Sequence, residues 1–174
     1  MTYKIVVGVD ASPPSAAALR WAVEQATSRS GEVMALLCWQ LPFFGMPGGF
    51  DRDEVEARAK ALLLQTVKAA VPDPPVPLET VVAEGDPIVS LLAASDGADL
   101  LVLGTRGRSP FAGLLLGSVS QACSAHAPLP RRTSQDDLTP ASVQVDLYES
   151  CIVTPIQMRR CAGDQSAGKT RTAP

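Results

Sequence analysis

Two short apolar runs, KIVVGV at Lys4 to Val9 and DLLVL at Asp99 to Leu103, lack the polar alternation of a strand that faces water on one side. A continuous apolar strand must be covered on both faces, which is the condition of a parallel sheet sandwiched between helices. The intervals between the runs carry helix periodicity, so the chain reads as repeated strand–helix units: an α/β fold with an open parallel sheet and helices on both faces.

After the first run, Ser12 is placed to cap a helix with Pro13 at its first position, and Gly31 is read as the C-cap. The second strand spans Glu32 to Trp39. A loop rich in Pro, Gly and Phe follows from Leu41 to Phe50, and its apolar side chains suit a lid or packing cluster. The next helix begins at Asp51, where Asp51 and Glu54 have the spacing of a capping box, and it ends before Pro72. The third strand is Leu78 to Ala83, Asp86 caps the helix after it, and the fourth strand is Asp99 to Leu103. A glycine-rich stretch from Gly104 to Ser118 leads into a last helix, about Ser118 to Ala127.

At Pro128 the apolar density falls, dividing the chain into a body, residues 1–130, and an atypical, weakly ordered tail, residues 131–174. A five-stranded sheet needs another strand here, and PLPRRTSQDD cannot supply it. The later candidates are Ser142 to Tyr148 and Ser150 to Ile156, the second broken by Pro155.

Composition narrows the partners. A hydrophobic content of 46% supplies a core, and a net charge of -3 lacks the clustered cations that grip nucleic acid or an anionic membrane. No apolar stretch reaches the roughly 18 residues that cross a bilayer, and the N-terminal segment reads as a strand rather than a signal peptide. Neither nucleic acid nor membrane is expected as a partner, and the expected setting is cytoplasmic. The four cysteines form no CxxC pair and His126 is the single histidine, so no metal site is expected. Cys38 and Cys123 read as small apolar side chains.

The chemistry concentrates where the fourth strand ends. Gly104, Gly107 and Gly117-Ser118 follow the spacing G-x2-G-x9-G-S between a strand and a helix. There glycines admit an anion to backbone N–H groups and a helix N-terminus adds partial positive charge. Arg106 and Arg108 lie within the loop, and the Ser118 hydroxyl and Val119 amide fall in the helix's first turn. The competing reading is a surface loop with turn glycines and solvated arginines.

This stretch resembles the universal stress protein family, in particular its ATP-binding branch, whose motif G-x2-G-x9-G-[ST] is met by Gly104, Gly107, Gly117 and Ser118. IVVGVDASPPSAAALRWAVEQA, ADLLVLGTRGR and GSVSQACSAHAP are similar to the family's first strand and helix, fourth strand and loop, and last helix, so the resemblance covers Tyr3 to Pro130. It implies a Rossmann-like five-stranded fold with ATP held across the carboxyl ends of the first and fourth strands, Mg2+ carried in by the nucleotide, and a homodimer. By the same resemblance, Gly8 and Asp10 meet the adenosine part. Gly104, Thr105, Arg106, Gly107, Arg108 and Ser109 wrap the phosphates and ribose, and Gly117, Ser118 and Val119 complete the phosphate site. For Asp10 the competing reading is an acid interacting with the dipole of the first helix.

Two departures stand out. Ser109-Pro110 stiffens the loop and removes one N–H donor, and LPRRTSQDD stands where relatives place a Val/Ile-rich fifth strand that often builds the dimer. No water-activating base or arginine finger accompanies the loop, so no catalytic residue is assigned. The expected function is a nucleotide-responsive stress or regulatory protein, at most a slow ATPase. The alternative is a protein-interaction member of the fold that binds no nucleotide, impaired by its altered C-terminus. Gly163 to Thr170 also matches the phosphate-loop pattern G-x-x-x-x-G-K-[ST], but a buried strand before it and a helix after it are both missing from the sequence pattern, which favours a chance match.

Overall fold

The computed structural model describes residues 2–41, 51–105, 107, 117–126 and 151–155. Its elements follow in order as β1 (Lys4–Gly8), α1 (Pro13–Ser28), β2 (Glu32–Trp39), α2 (Arg52–Ala70), β3 (Leu78–Glu84), α3 (Pro87–Ala94), β4 (Leu100–Gly104), α4 (Ser118–His126) and β5 (Cys151–Pro155). They build one sheet in the order β3-β2-β1-β4-β5. The first four strands are parallel, with Gly8 in register with both Leu36 and Leu103.

The fifth strand is present and differs from the expected pattern in direction. It runs antiparallel to β4, pairing Gly104 with Cys151 and Leu100 with Pro155. It comes from Ser150 to Ile156, one of the two candidate segments, and Pro155 is accommodated because it ends the strand at the sheet's edge. The other candidate, Ser142 to Tyr148, lies outside the described residues, as do the 42–50 loop and Gly163 to Thr170.

Continuous apolar strands are buried on both sides, as their composition requires. Ile5 and Val7 face one cluster with α1 and α2, while Val6 faces another that includes Leu91 of α3 and Cys123 of α4. The first cluster is the larger, because α1 buries the stripe Ala18, Leu19, Ala22, Val23 and Ala26, and α2 adds Ala59, Leu63 and Val67 at one-turn spacing.

The helix ends show how local chemistry sets boundaries. Ser12 caps α1 and Asp86 caps α3, its carboxylate accepting from the amides of Ile88 and Val89. At α2 the capping box does not form: Asp51 accepts from the Asp53 amide, but Glu54 turns outward to Arg58, one turn on. The left-handed residue after α1 is Ser30 (φ 50°), not Gly31. Gly31 is needed for space instead, since a Cβ there would collide with the Tyr3 carbonyl oxygen.

Candidate functional site

The chain runs outward from β1 through β2 to β3, then returns across α3 to β4 on the other side of β1. At such a reversal the connections leave neighbouring strands in opposite directions and open a crevice above their carboxyl ends. A cavity of about 280 Å³ lies there, near the lower end of the roughly 300–1,000 Å³ of small-molecule sites.

Its first wall is the turn after β1. The Val9 amide makes a last ladder bond to the Leu36 carbonyl (2.8 Å), and Asp10 then leaves the sheet. Asp10 Oδ1 accepts from the Ser12 amide (3.0 Å), the Asp10 amide donates to Ser15 Oγ (3.3 Å), and Ser15 Oγ donates to the Ser12 carbonyl (2.9 Å). Ala11 is forced into the left-handed region (φ 64°), a strained conformation for a residue with a Cβ. The result is a carboxylate at the cavity rim, and Asp10 is the one charged side chain among the described lining residues.

The second wall is the connection from β4 to α4. Gly104 packs so closely on α1 that a Cβ there would sit 2.9 Å from the Pro14 carbonyl carbon and the Ser15 nitrogen. The Gly117 amide donates to the Thr105 carbonyl (2.7 Å), and Ser120 Oγ donates to the Gly104 carbonyl (2.6 Å). The first intrahelical bond of α4 runs from the Gln121 amide to the Gly117 carbonyl (2.9 Å), so the amides of Ser118, Val119 and Ser120 lie in the unpaired first turn. Gly107 faces Asp10 across the opening: a Cβ on Gly107 would lie 2.7 Å from Asp10 Oδ2.

The third wall is apolar, from Leu36 and Cys38 of β2, Pro87 and Leu91 of α3, and Leu103 of β4. Gly8 lets this wall close over the sheet, since a Cβ there would be 2.5 Å from Leu103 Cδ2 and 3.1 Å from Leu91 Cδ2. Burial pushes the Cys38 thiol up, opposed by a hydrogen bond with Ser90 and reinforced by Asp86. Cys123, fully buried behind this wall, is pushed up to about 11 by burial, with Asp86 and Cys38 adding to it. Both thiols are therefore neutral near pH 7 and unsuited to act as nucleophiles.

The structure thus gathers Gly8, Asp10, Gly104, Gly107, Gly117, Ser118 and Val119 around one cavity. Thr105 is buried and contributes its carbonyl to the base of the loop. Arg106, Arg108 and Ser109 lie outside the described residues. Sequence reasoning missed Ser15, Ser120 and the apolar wall. Nothing in the chain marks a serine as buried, and Leu36, Leu91 and Leu103 read as ordinary core. Among the described residues no group of three or more His, Cys, Asp or Glu could hold a metal ion, and no helix is long and apolar enough to cross a membrane.

The model of the Universal stress protein family matches residues 1–130. The chain belongs to the universal stress protein family. Universal stress protein Rv2623 of Mycobacterium tuberculosis (strain ATCC 25618 / H37Rv) is 30% identical over 136 residues, covering 78% of this chain and 46% of that protein. Universal stress protein Mb2028c of Mycobacterium bovis (strain ATCC BAA-935 / AF2122/97) is 34% identical over 130 residues, covering 72% of this chain and 43% of that protein. This universal stress protein chain thus spans about half the length of the curated relatives it matches. Among solved structures, the universal stress protein UspA from Lactobacillus plantarum superposes with a TM-score of 0.61 at 25% identity, covering 72% of this chain and 92% of that one. A universal stress protein solved in complex with cAMP superposes with a TM-score of 0.50 at 27% identity, covering 72% and 90%.

Proposed function

We propose that the cavity above β1 and β4 binds ATP, with Mg2+ carried by the nucleotide, and that the protein is a nucleotide-responsive stress or regulatory protein rather than a fast enzyme. The observation that carries this reading is the meeting of three features in one cavity. They are an apolar wall suited to a base, a glycine approach without side chains, and the unpaired first turn of α4 aimed at where phosphates would lie. A relative solved with cAMP lends support, since that ligand is also an adenine nucleotide. In this reading Gly8 and Asp10 meet the adenosine part and Gly104 to Ser109 wrap the phosphates and ribose. Gly117, Ser118 and Val119 complete the phosphate site, and Arg106 and Arg108 neutralise charge. A cytoplasmic homodimer belongs to the same proposal, formed by pairing of β5 edges across a twofold axis.

A second reading has one observation in its favour. Asp10 is the one charged side chain among the described lining residues, and a carboxylate repels phosphates unless cations offset it. Under that reading the protein binds no nucleotide and acts through protein contacts. Titration calorimetry separates the two. ATP binding is expected to release measurable heat with the intact chain, and Gly107→Ala, which drives a methyl against Asp10, is expected to weaken affinity about tenfold or more. Asp10→Ala is expected to weaken it as well. Unchanged affinity in both variants overturns the site assignment, and no binding by the intact chain favours the second reading.

A further inference from the structure

The base of the glycine-rich loop is held by a residue outside the family motif. Ser120 is 5% exposed and lies in the first turn of α4, where its hydroxyl donates to the Gly104 carbonyl across 16 positions of chain. One residue beyond Gly104, the Thr105 carbonyl accepts from the amide of Gly117, three residues before Ser120. Gly104 itself rests against the first turn of α1, with no room for a Cβ beside Pro14 and Ser15. Gly104 is therefore fixed from two directions, by packing on α1 and by the hydroxyl from α4.

From this geometry we infer that Ser120 is a positioning residue for phosphate recognition: by tying α4 to Gly104 it sets the gap between the glycine backbone of β4 and the unpaired amides of Ser118 and Val119. The inference rests on the proposed nucleotide reading and names a determinant within that site. Two hydrogen bonds across the base of the loop leave the first turn of α4 little freedom to shift along β4. An anion that must be met by both sides needs that spacing already set, because otherwise it must supply the ordering energy itself. The base-binding wall has Leu36, Cys38, Pro87 and Leu91 on β2 and α3, away from this tie, and only Leu103 on β4 beside it. Removing the hydroxyl should therefore harm the phosphate part of binding more than the adenosine part.

The test compares ATP and adenosine affinities, measured by calorimetry on the intact chain and its variants. Ser120→Ala is expected to weaken ATP about tenfold while adenosine changes by less than about twofold, so the ATP-to-adenosine affinity ratio falls. Ser120→Thr, which retains the hydroxyl, is expected to restore the ratio. Ser124→Ala, which removes a hydroxyl bonded to the Ser120 carbonyl within α4, is expected to leave it unchanged. If the alanine variant fails to fold, Ser120→Cys, of similar volume with a weaker donor, makes the same comparison and is expected to lower the ratio less. An unchanged ratio in a folded Ser120→Ala or Ser120→Cys variant overturns the positioning role, even where Gly107→Ala weakens ATP as expected. No ATP binding by the intact chain overturns the nucleotide reading, and this inference with it.

Discussion

The two faces of the sheet are built to different specifications. On one, α1 and α2 run 16 and 19 residues and cover Ile5, Val7, Val33, Ala35, Leu37 and Val102 with a continuous apolar layer. On the other, α3 and α4 have only 8 and 9 residues, the buried cluster is smaller, and the cavity opens beside it. The same strands serve both, since alternate residues of β1, β2 and β4 point to opposite sides. A full layer stabilises the sheet, while the short helices leave a cavity open at the carboxyl ends of β1 and β4.

That contrast can be broken most sharply in the core. Leu63→Ala in α2, at 1% exposure, should cost about 2–5 kcal/mol in urea unfolding, with ATP affinity unchanged in the folded protein. Leu91→Ala on the thin face should cost less, about 2 kcal/mol, because its site adjoins an existing cavity. It should also weaken ligand binding, which Leu63→Ala should not. Equal costs with no effect on binding would erase the distinction between the faces.

A pH titration probes the thin face alone, because Cys38 and Cys123 both belong to it. The Cys123 thiol is raised from 9.0 to about 11 in the folded chain, so folding favours its neutral form. Its contribution is fully present below pH 9 and is lost as pH rises through about 11, and the raised Cys38 acts in the same direction. The melting temperature should fall over that window, and Cys123→Ala should flatten the fall; an unchanged slope would remove the thiol as its cause. The smallest expected effect is at the rim. Ala11→Gly relieves a left-handed alanine, worth about 1–2 kcal/mol, against about 0.4–1 kcal/mol of added unfolded-chain entropy. A net gain of about 0.5–1 kcal/mol in urea unfolding is expected, and destabilisation would show that Ala11 bears no strain.

Much of this architecture is legible in the chain because local rules agree with the fold. Uninterrupted runs at β1 and β4 demand cover on both faces, and Ser12-Pro13 and Asp86-Pro87 announce the helices that provide it. The glycines of the site are equally legible, since their spacing between a strand and a helix has a direct chemical sense. Other features depend on distant partners and leave no local mark. Gly31 looks like a cap, yet its role is to clear the Tyr3 carbonyl. Glu54 has capping-box spacing, yet Arg58 competes for it. The antiparallel direction of β5 against β4 is not encoded in the five residues CIVTP themselves. Ser120 reads as an ordinary helix polar residue until its bond to Gly104 is seen.

In the proposed reading the thin face, not the thick one, receives a nucleotide at the ends of β1 and β4. Amide hydrogen exchange of the intact chain with and without ATP and Mg2+ tests it most directly. Slower exchange with nucleotide is expected at Asp10, Gly107 and the Ser118 to Ser120 amides, with no change along α2. Protection confined to Gly163 to Thr170, or none at the ends of β1 and β4, would contradict it.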